Sequence, residues 1–375
     1  MKYFDYAATT PMDSEVLKIY QEVASEYWGN TSSLHDVGTK AEELLENCRD
    51  KLASLLNVSS RGVYFTSGGT ESNQLAIPSL AFSQQHKGKH IITSMAEHSS
   101  VSSALDYLSG YGYEITKIPY LSNGQLDLSA LKQSIREDTI LITIGHVNGE
   151  IGSIQPLEDI NNLIKNKNIF FHSDCVQSFG KMDLKKICSF VDSISISSHK
   201  IYGPKGVGAV YIRPTIHVKG LFPHQSHENG FRGGTINTPG IAAFVGAAIQ
   251  PNHDHWDKAV QLRKLFTSQL TNELKNCVTI YESEPSIQLP HVIGLAINGH
   301  EGQWVMLECN RKGFFISTGS ACRQGLQTPS KTMIAMGVAE EKQKEFIRIS
   351  FGKGTQVEDV IALVETLKKV SEKTL

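Results

Sequence analysis

The chain has 375 residues, 40% of them hydrophobic and 20% charged, a balance that suits a folded globular protein with room for a main domain and a smaller one. A formal net charge of -2 gives no electrostatic reason to expect nucleic acid or an anionic membrane as partner. The opening, from Met1 to Thr10, lacks the apolar core of a signal peptide, and no uninterrupted apolar run is long enough to span a bilayer, so a cytoplasmic location is expected.

Taken in chain order, the first element is a helix around Lys40–Lys51, whose amphipathic charge pattern most simply marks a solvated face. Strands are then predicted at Val63–Ser67, His90–Ser94, Glu114–Pro119, Thr139–Val147, Ile169–Ser173, Ser193–Ser198 and Val207–Ile212. Helical stretches lie between them at Thr70–Gln85, Ser99–Leu108 and Pro156–Lys165, the last with proline at its first position. Seven strands alternating with helices imply an α/β class with a doubly wound, mostly parallel sheet. After about Pro251 the style changes. A long polar helix around Asp254–Lys275 precedes strands at Val278–Glu282, His291–Ile297, Phe314–Thr318 and Phe346–Phe351, with helices near Glu301–Lys312 and Val357–Lys373; a smaller α+β domain is expected there. Residues 15–253 are assigned to the large domain, and 1–14 with 254–375 to the small one.

Lys200 is the most informative residue. It follows the β-rich run Ser193–His199 and precedes a loop, Ile201–Gly208, that cannot continue a strand. In an open parallel sheet the ligand crevice lies at the carboxyl ends of the strands, so an amine there can form a Schiff base with an aldehyde cofactor. Alone, a lysine is more often a solvated surface group. Its company changes the weighing. The apolar run Ile169–Ser173 ends in Asp174, and Gly62–Asn73 reads as a strand running through small residues into a helix. Pyridoxal phosphate needs a carboxylate to keep its ring nitrogen protonated and backbone N–H groups at a helix start for its phosphate, jobs that suit Asp174 and Gly69-Thr70. Asp174 alone reads more commonly as a helix cap, and a Gly-Gly-Thr turn alone is a weak phosphate signal.

The six cysteines are scattered, with no C-x-x-C pair and no zinc-finger spacing, and reduced thiols are expected. Cys322 lies among small residues in Ser317–Gly325, next to Arg323, which favours the nucleophilic thiolate. Cys175 is the rival, but alternation along a strand turns it away from the face carrying Asp174, toward packing. The histidines show no H-x-x-x-H pattern on a helix and no carboxylate partner at metal spacing, so no metal is expected.

From Tyr3–Pro11 to the last helix the chain resembles a NifS-type cysteine desulfurase, a class V enzyme of the fold-type I pyridoxal-phosphate group. The resemblance is carried by Thr66–Asn73, Glu97-His98, His146–Asn148, Ser173–Ser178, Ser197–Gly206, Arg232–Thr235, Ser317–Cys322 and Arg348–Gly352. It implies that Lys200 holds the cofactor covalently, Asp174 pairs with the ring nitrogen, His98 stacks on the ring and Gln177 bonds its phenolic oxygen. The phosphate would be held by Gly69, Thr70, Ser197 and His199, with Thr235 reaching across from a second subunit, and a homodimer follows. Arg348 would take the substrate carboxylate, with Asn148 and Asn30 beside it. Cys322 would accept sulfur from L-cysteine as a persulfide, leaving L-alanine.

Two departures from the family pattern stand out: Gly149 follows Asn148 where many members have a second asparagine, and Pro223–Gly230 replaces a more glycine-rich approach to Thr235. The segment Phe222–Thr235 resembles the branch whose sulfur serves an iron-sulfur quinolinate synthase, a dedicated acceptor in place of a general iron-sulfur scaffold. A selenocysteine lyase or class V aminotransferase shares Lys200 and Asp174 without needing Cys322. A catalytically silent binding protein would not need the set Lys200, Asp174 and His98.

Overall fold

A computed structural model describes residues 2–250, 253–318 and 329–373, with 253–255 as backbone only. Its centre is a seven-stranded sheet in the order Val63–Thr66, Gly208–Ile212, Ser193–Ser197, Phe170–Asp174, Thr139–Thr143, His90–Ser94, Glu114–Ile118. Neighbours run parallel except that Gly208–Ile212 is antiparallel to both of its own. The two reversals cancel. Val63–Thr66 therefore points the same way as the parallel strands, and their carboxyl ends gather along one edge.

Helices cover both faces of this sheet, and His90–Ser94, Thr139–Thr143, Ser193–Ser197 and Gly208–Ile212 are buried at every position. Gly69–Ser83 packs with Ser99–Ser109, while Ser14–Glu26 and Asp36–Leu56 pack against Thr238–Ile249. The region Lys40–Lys51 is more than a solvated face. It belongs to Asp36–Leu56, which turns Ala41, Leu45, Cys48, Leu52 and Leu56 into the core. Arg49 is buried with them and forks onto Glu228 at 2.7 and 3.1 Å, and Glu228 also accepts the amide N–H of Phe65 at 2.7 Å.

The C-terminal part is a three-stranded antiparallel sheet, ordered Phe346–Ser350, Val292–Ile297, Val278–Tyr281, with the helices His253–Leu274, Gly302–Arg311 and Val357–Ser371. It has its own apolar core, which Phe4 enters, because Lys2–Tyr3 pairs in parallel with Phe314–Phe315. Most of the expected strands are shorter than the sequence suggested, several by a single residue. Phe314–Thr318 shrinks to Phe314–Phe315, Thr139–Val147 ends at Thr143, and Ser193–Ser198 ends at Ser197, where Ser198–Lys200 coils into one 3-10 turn.

Candidate active site

The shared edge of carboxyl ends assembles most of the residues singled out from the sequence. Asp174 closes its strand, and Lys200 follows the next strand over, with Asp174 in register with Ser195. His98 caps the helix Ser99–Ser109 that follows His90–Ser94. Gly68, Gly69 and Thr70 lie between Val63–Thr66 and the body of its helix.

The turn before that helix is shaped for an anion. Gly68 has φ +146°, which favours glycine, and no side chain caps the helix that starts at Gly69, leaving its first amides for a ligand. A Cβ on Gly69 would come within 2.5 Å of Val176 Cγ2, and one on Gly68 would approach Ser197 Oγ at 3.8 Å, so Ser197 borders the same cradle. Thr66 Oγ1 braces the turn by accepting the Gly68 amide at 3.3 Å. Nearby, His199 Nδ1 lies 3.0 Å from Thr9 Oγ1, and burial, with Lys200, Lys205 and Lys181 close by, pulls its pKa down to about 4. Thr235 is exposed on a loop.

Lys200 Nζ is held by the carbonyls of Ala7 and Ala8, at 2.5 and 2.7 Å. Burial, then the charges of Arg348 and Lys181, push its pKa from 10.5 to about 7, so an appreciable share is neutral amine at neutral pH. Asp174 Oδ1 accepts the Val176 amide at 2.9 Å, and its Oδ2 accepts from Asn73 Nδ2 at 2.7 Å. His98 Nδ1 takes the Ser100 amide at 3.2 Å and lies 2.7 Å from Ser100 Oγ; burial lowers its pKa. Next to it in the chain, the Glu97 carboxylate accepts from Ser94 Oγ at 2.6 Å and from the Gly145 amide, and burial raises its pKa to about 7.

Gln177 Nε2 donates to the Ala7 carbonyl at 3.0 Å, the same carbonyl that receives Lys200. Arg348 is buried, its Nη1 on the Gly149 carbonyl at 3.0 Å and its Nη2 on Asp5 Oδ1 at 2.7 Å. Asn148 is tied into the fold, its Oδ1 accepting the amides of Glu150 and Ile151 and its Nδ2 donating to Thr332 Oγ1 at 2.9 Å. Asn30 is exposed and accepts from the Ser32 amide at 2.9 Å within its own turn; no described contact joins it to Lys200 or Arg348. Cys322 lies outside the described residues. On either side of 319–328, Ser317 exchanges backbone hydrogen bonds with Arg348, and Ser330 and Thr332 bond to Glu150. Cys175 is fully buried, which drives its thiol pKa up and leaves it a packing group.

Sequence reasoning gave no role to Asn73, Ser100, Asp5 or Lys181. Asn73 and Asp5 lay inside quoted motifs, Thr66–Asn73 and Tyr3–Pro11, yet neither motif shows what its polar side chains would face once folded. Among the described residues no group of histidine, cysteine and carboxylate side chains could hold a metal ion, and no helix is long and apolar enough to cross a membrane.

A model of the aminotransferase class-V family matches residues 2–363. A Bacillus subtilis (strain 168) protein bearing the name NifS is 44% identical over 98% of this chain and 93% of its own length. The protein named cysteine desulfurase IscS from Dictyoglomus turgidum is 38% identical, covering 99% of this chain and 94% of its own. Among solved structures, one titled NifS-like protein superposes with a TM-score of 0.90 at 32% identity, over 98% of each chain. Another, titled SspA in complex with cysteine, gives 0.81 at 33% identity, over 94% of this chain and 99% of that one.

Proposed function

Because this chain belongs to the aminotransferase class-V family, whose desulfurase members are pyridoxal-phosphate enzymes, we propose a working cycle in which Lys200, Asp174, His98, Arg348 and Cys322 divide the labour. The chain is a pyridoxal-phosphate-dependent cysteine desulfurase. The observation that carries the assignment of roles is the placement of Lys200 and Asp174 at the ends of adjacent parallel strands, beside a glycine-lined helix start.

The residues present fit the cofactor. The uncapped amides at Gly69 and Thr70, with Ser197 beside them, suit a phosphate that His199 would also help to hold, and Asp174 suits a ring nitrogen that must stay protonated. When bound, pyridoxal phosphate supplies an electron sink that acidifies the Cα proton of an attached amino acid. Lys200, depressed to about 7, has the neutral form needed to take that proton. Arg348 presents a guanidinium for the substrate carboxylate. The Cys322 thiolate attacks the sulfur of L-cysteine; the Cβ–S bond breaks, an S–S bond forms, the electron pair stays with the carbon skeleton, and that carbon gains a proton to become L-alanine. Gln177 would bond the cofactor's phenolic oxygen, His98 would stack on its ring and shuttle protons, and Asn148, anchored to Thr332, would stand beside Arg348 for the substrate carboxylate.

The same reading extends to a homodimer, in which exposed Thr235 completes the partner's phosphate site, to a large domain of residues 15–253 with a small one of 1–14 and 254–375, and to a cytoplasmic protein. It assigns the persulfide sulfur to iron-sulfur cluster assembly, either on a scaffold or on a dedicated quinolinate synthase. Incubation with L-cysteine and a reductant should give sulfide and alanine in equal amounts, and Cys322→Ala should abolish both. Sulfur release retained by Cys322→Ala would move the enzyme to the selenocysteine lyase class, and production of pyruvate or a new amino acid to transamination.

A further inference from the structure

We propose that Asn73 and Ser100 are positioning residues: together they lock His98 into a single tautomer, with its proton on Nε2, and tie it to Asp174. The inference rests on the roles given to His98 and Asp174 above.

The chain of contacts starts deep in the sheet. His172 is fully buried, and burial alone drives its pKa down to about 3, so it is neutral. Its Nδ1 lies 3.0 Å from Ser193 Oγ and its Nε2 3.1 Å from Asn73 Oδ1. A carbonyl oxygen can only accept, so the His172 proton sits on Nε2 and points at Asn73. The Asn73 amide is oriented independently from its other side, because the Asp174 carboxylate that faces it can only accept and so takes the NH2. Its Nδ2 spends one hydrogen on Asp174 Oδ2, at 2.7 Å, and the other on Ser100 Oγ, at 2.9 Å. Since Ser100 Oγ accepts there, its own hydrogen is free for His98 Nδ1, at 2.7 Å. The Ser100 amide converges on the same nitrogen at 3.2 Å.

Two donors on Nδ1 leave that nitrogen only the part of acceptor, so the imidazole proton belongs to Nε2. Protonating Nδ1 would break the amide bond and force the Ser100 hydroxyl to turn its hydrogen away. The charged groups around the ring are Asp174 on its strand, Lys200 on the 3-10 turn after the neighbouring strand, and Lys331 at the start of the helix Lys331–Ala335. Asp174 favours the imidazolium while burial and the two lysines oppose it. The resting enzyme therefore offers an N–H from the free edge of His98, and the ring can take up a proton there only after giving one away.

Nitrogen-15 NMR of histidine-labelled holoenzyme tests this, with the His98 signals identified by their loss in His98→Gln. The wild type should show an unprotonated Nδ1 and a protonated Nε2 near neutral pH. Ser100→Ala should raise the proton affinity of His98 by about tenfold, the scale of one lost hydrogen bond, and shift the acidic limb of kcat/KM with it; Ser100→Thr should restore both. Asn73→Ala should add faster release of pyridoxal phosphate, because Asp174 loses its amide donor; the Ser100 variants decide the matter even if that protein folds poorly. A wild-type proton on Nδ1, or a His98 titration unchanged in Ser100→Ala, overturns the proposal. If the tautomer and titration behave as expected while His98→Gln desulfurates cysteine at the wild-type rate, the lock stands and the catalytic role given to His98 falls.

Discussion

Asp5 and Arg348 stand 343 positions apart in the chain and meet in an ion pair of 2.7 Å. The arginine side chain is only 9% exposed, its Nη1 is already on the Gly149 carbonyl, and its Nε is buried with no partner among the described residues. Asp5 and Gly149 thus aim the guanidinium from two sides while leaving donors for a ligand carboxylate.

Replacing Asp5 with asparagine keeps the shape and removes the charge. Arg348 should then hold its aim less firmly, raising KM for L-cysteine about tenfold while kcat changes much less. Steady-state kinetics decide it, and an unchanged KM would count against an aiming role for Asp5.

The depressed pKa of Lys200 has a direct kinetic consequence. Only the neutral amine attacks an aldehyde, so the rate at which cofactor-free protein takes up pyridoxal phosphate should climb as pH rises toward about 7 and level off above it. Stopped-flow absorbance between about pH 5 and pH 10 would follow this. A rate still climbing steeply at the alkaline end of that range would mean an ordinary lysine.

Gly68 carries the left-handed backbone that opens the anion cradle. Gly68→Ala meets no close atom, so its cost is conformational, on the order of 1–3 kcal/mol, and it falls on the geometry of the amides beyond it. Weaker retention of pyridoxal phosphate on dialysis is expected, roughly tenfold or more, with the far-ultraviolet spectrum unchanged.

Glu97 supplies a stability test with a defined sign. Its folded pKa of about 7 lies above the ordinary 4.5, so the folded state binds the proton more tightly than the unfolded chain between those values. Its contribution is therefore fully present below about pH 4.5 and is lost as pH rises through about 7. Glu97→Gln, which cannot ionise, should gain on the wild type by about 3 kcal/mol between about pH 4.5 and pH 8. Denaturant titrations of both proteins at the two pH values measure the difference; equal gaps would show that Glu97 ionises freely.

Much of this layout was legible in the sequence because chemistry-bearing residues sat beside strong punctuation. Lys200 and Asp174 each followed an apolar run, and Gly68-Gly69 broke a strand into a helix. The helix Thr238–Ile249 was not legible: it is buried along most of its length, so it has no polar face from which a period could be read. Strand ends were overextended at Ser198 and at Ile316–Thr318, where the regular ladders stop and only isolated backbone bonds continue, Ser198 to Val207 and Ser317 with Arg348. Arg49 looked solvated since its partner Glu228 lies far along the chain. Asn73 and Ser100 escaped for a related reason, as an amide and a hydroxyl gain meaning only from neighbours brought in by folding.

The segment Asp5–Asp13 leaves the ribosome long before the groups it grips: its carbonyls hold Lys200, its carboxylates meet Arg348 and Lys353, and its backbone bonds to His199 and Tyr202. During translation Asp5 must wait without its arginine until the strand Phe346–Ser350 has emerged. Assembly of the catalytic pocket is thereby deferred to a late stage of synthesis, and a nascent chain cut short before Arg348 lacks the closing half of its own clasp.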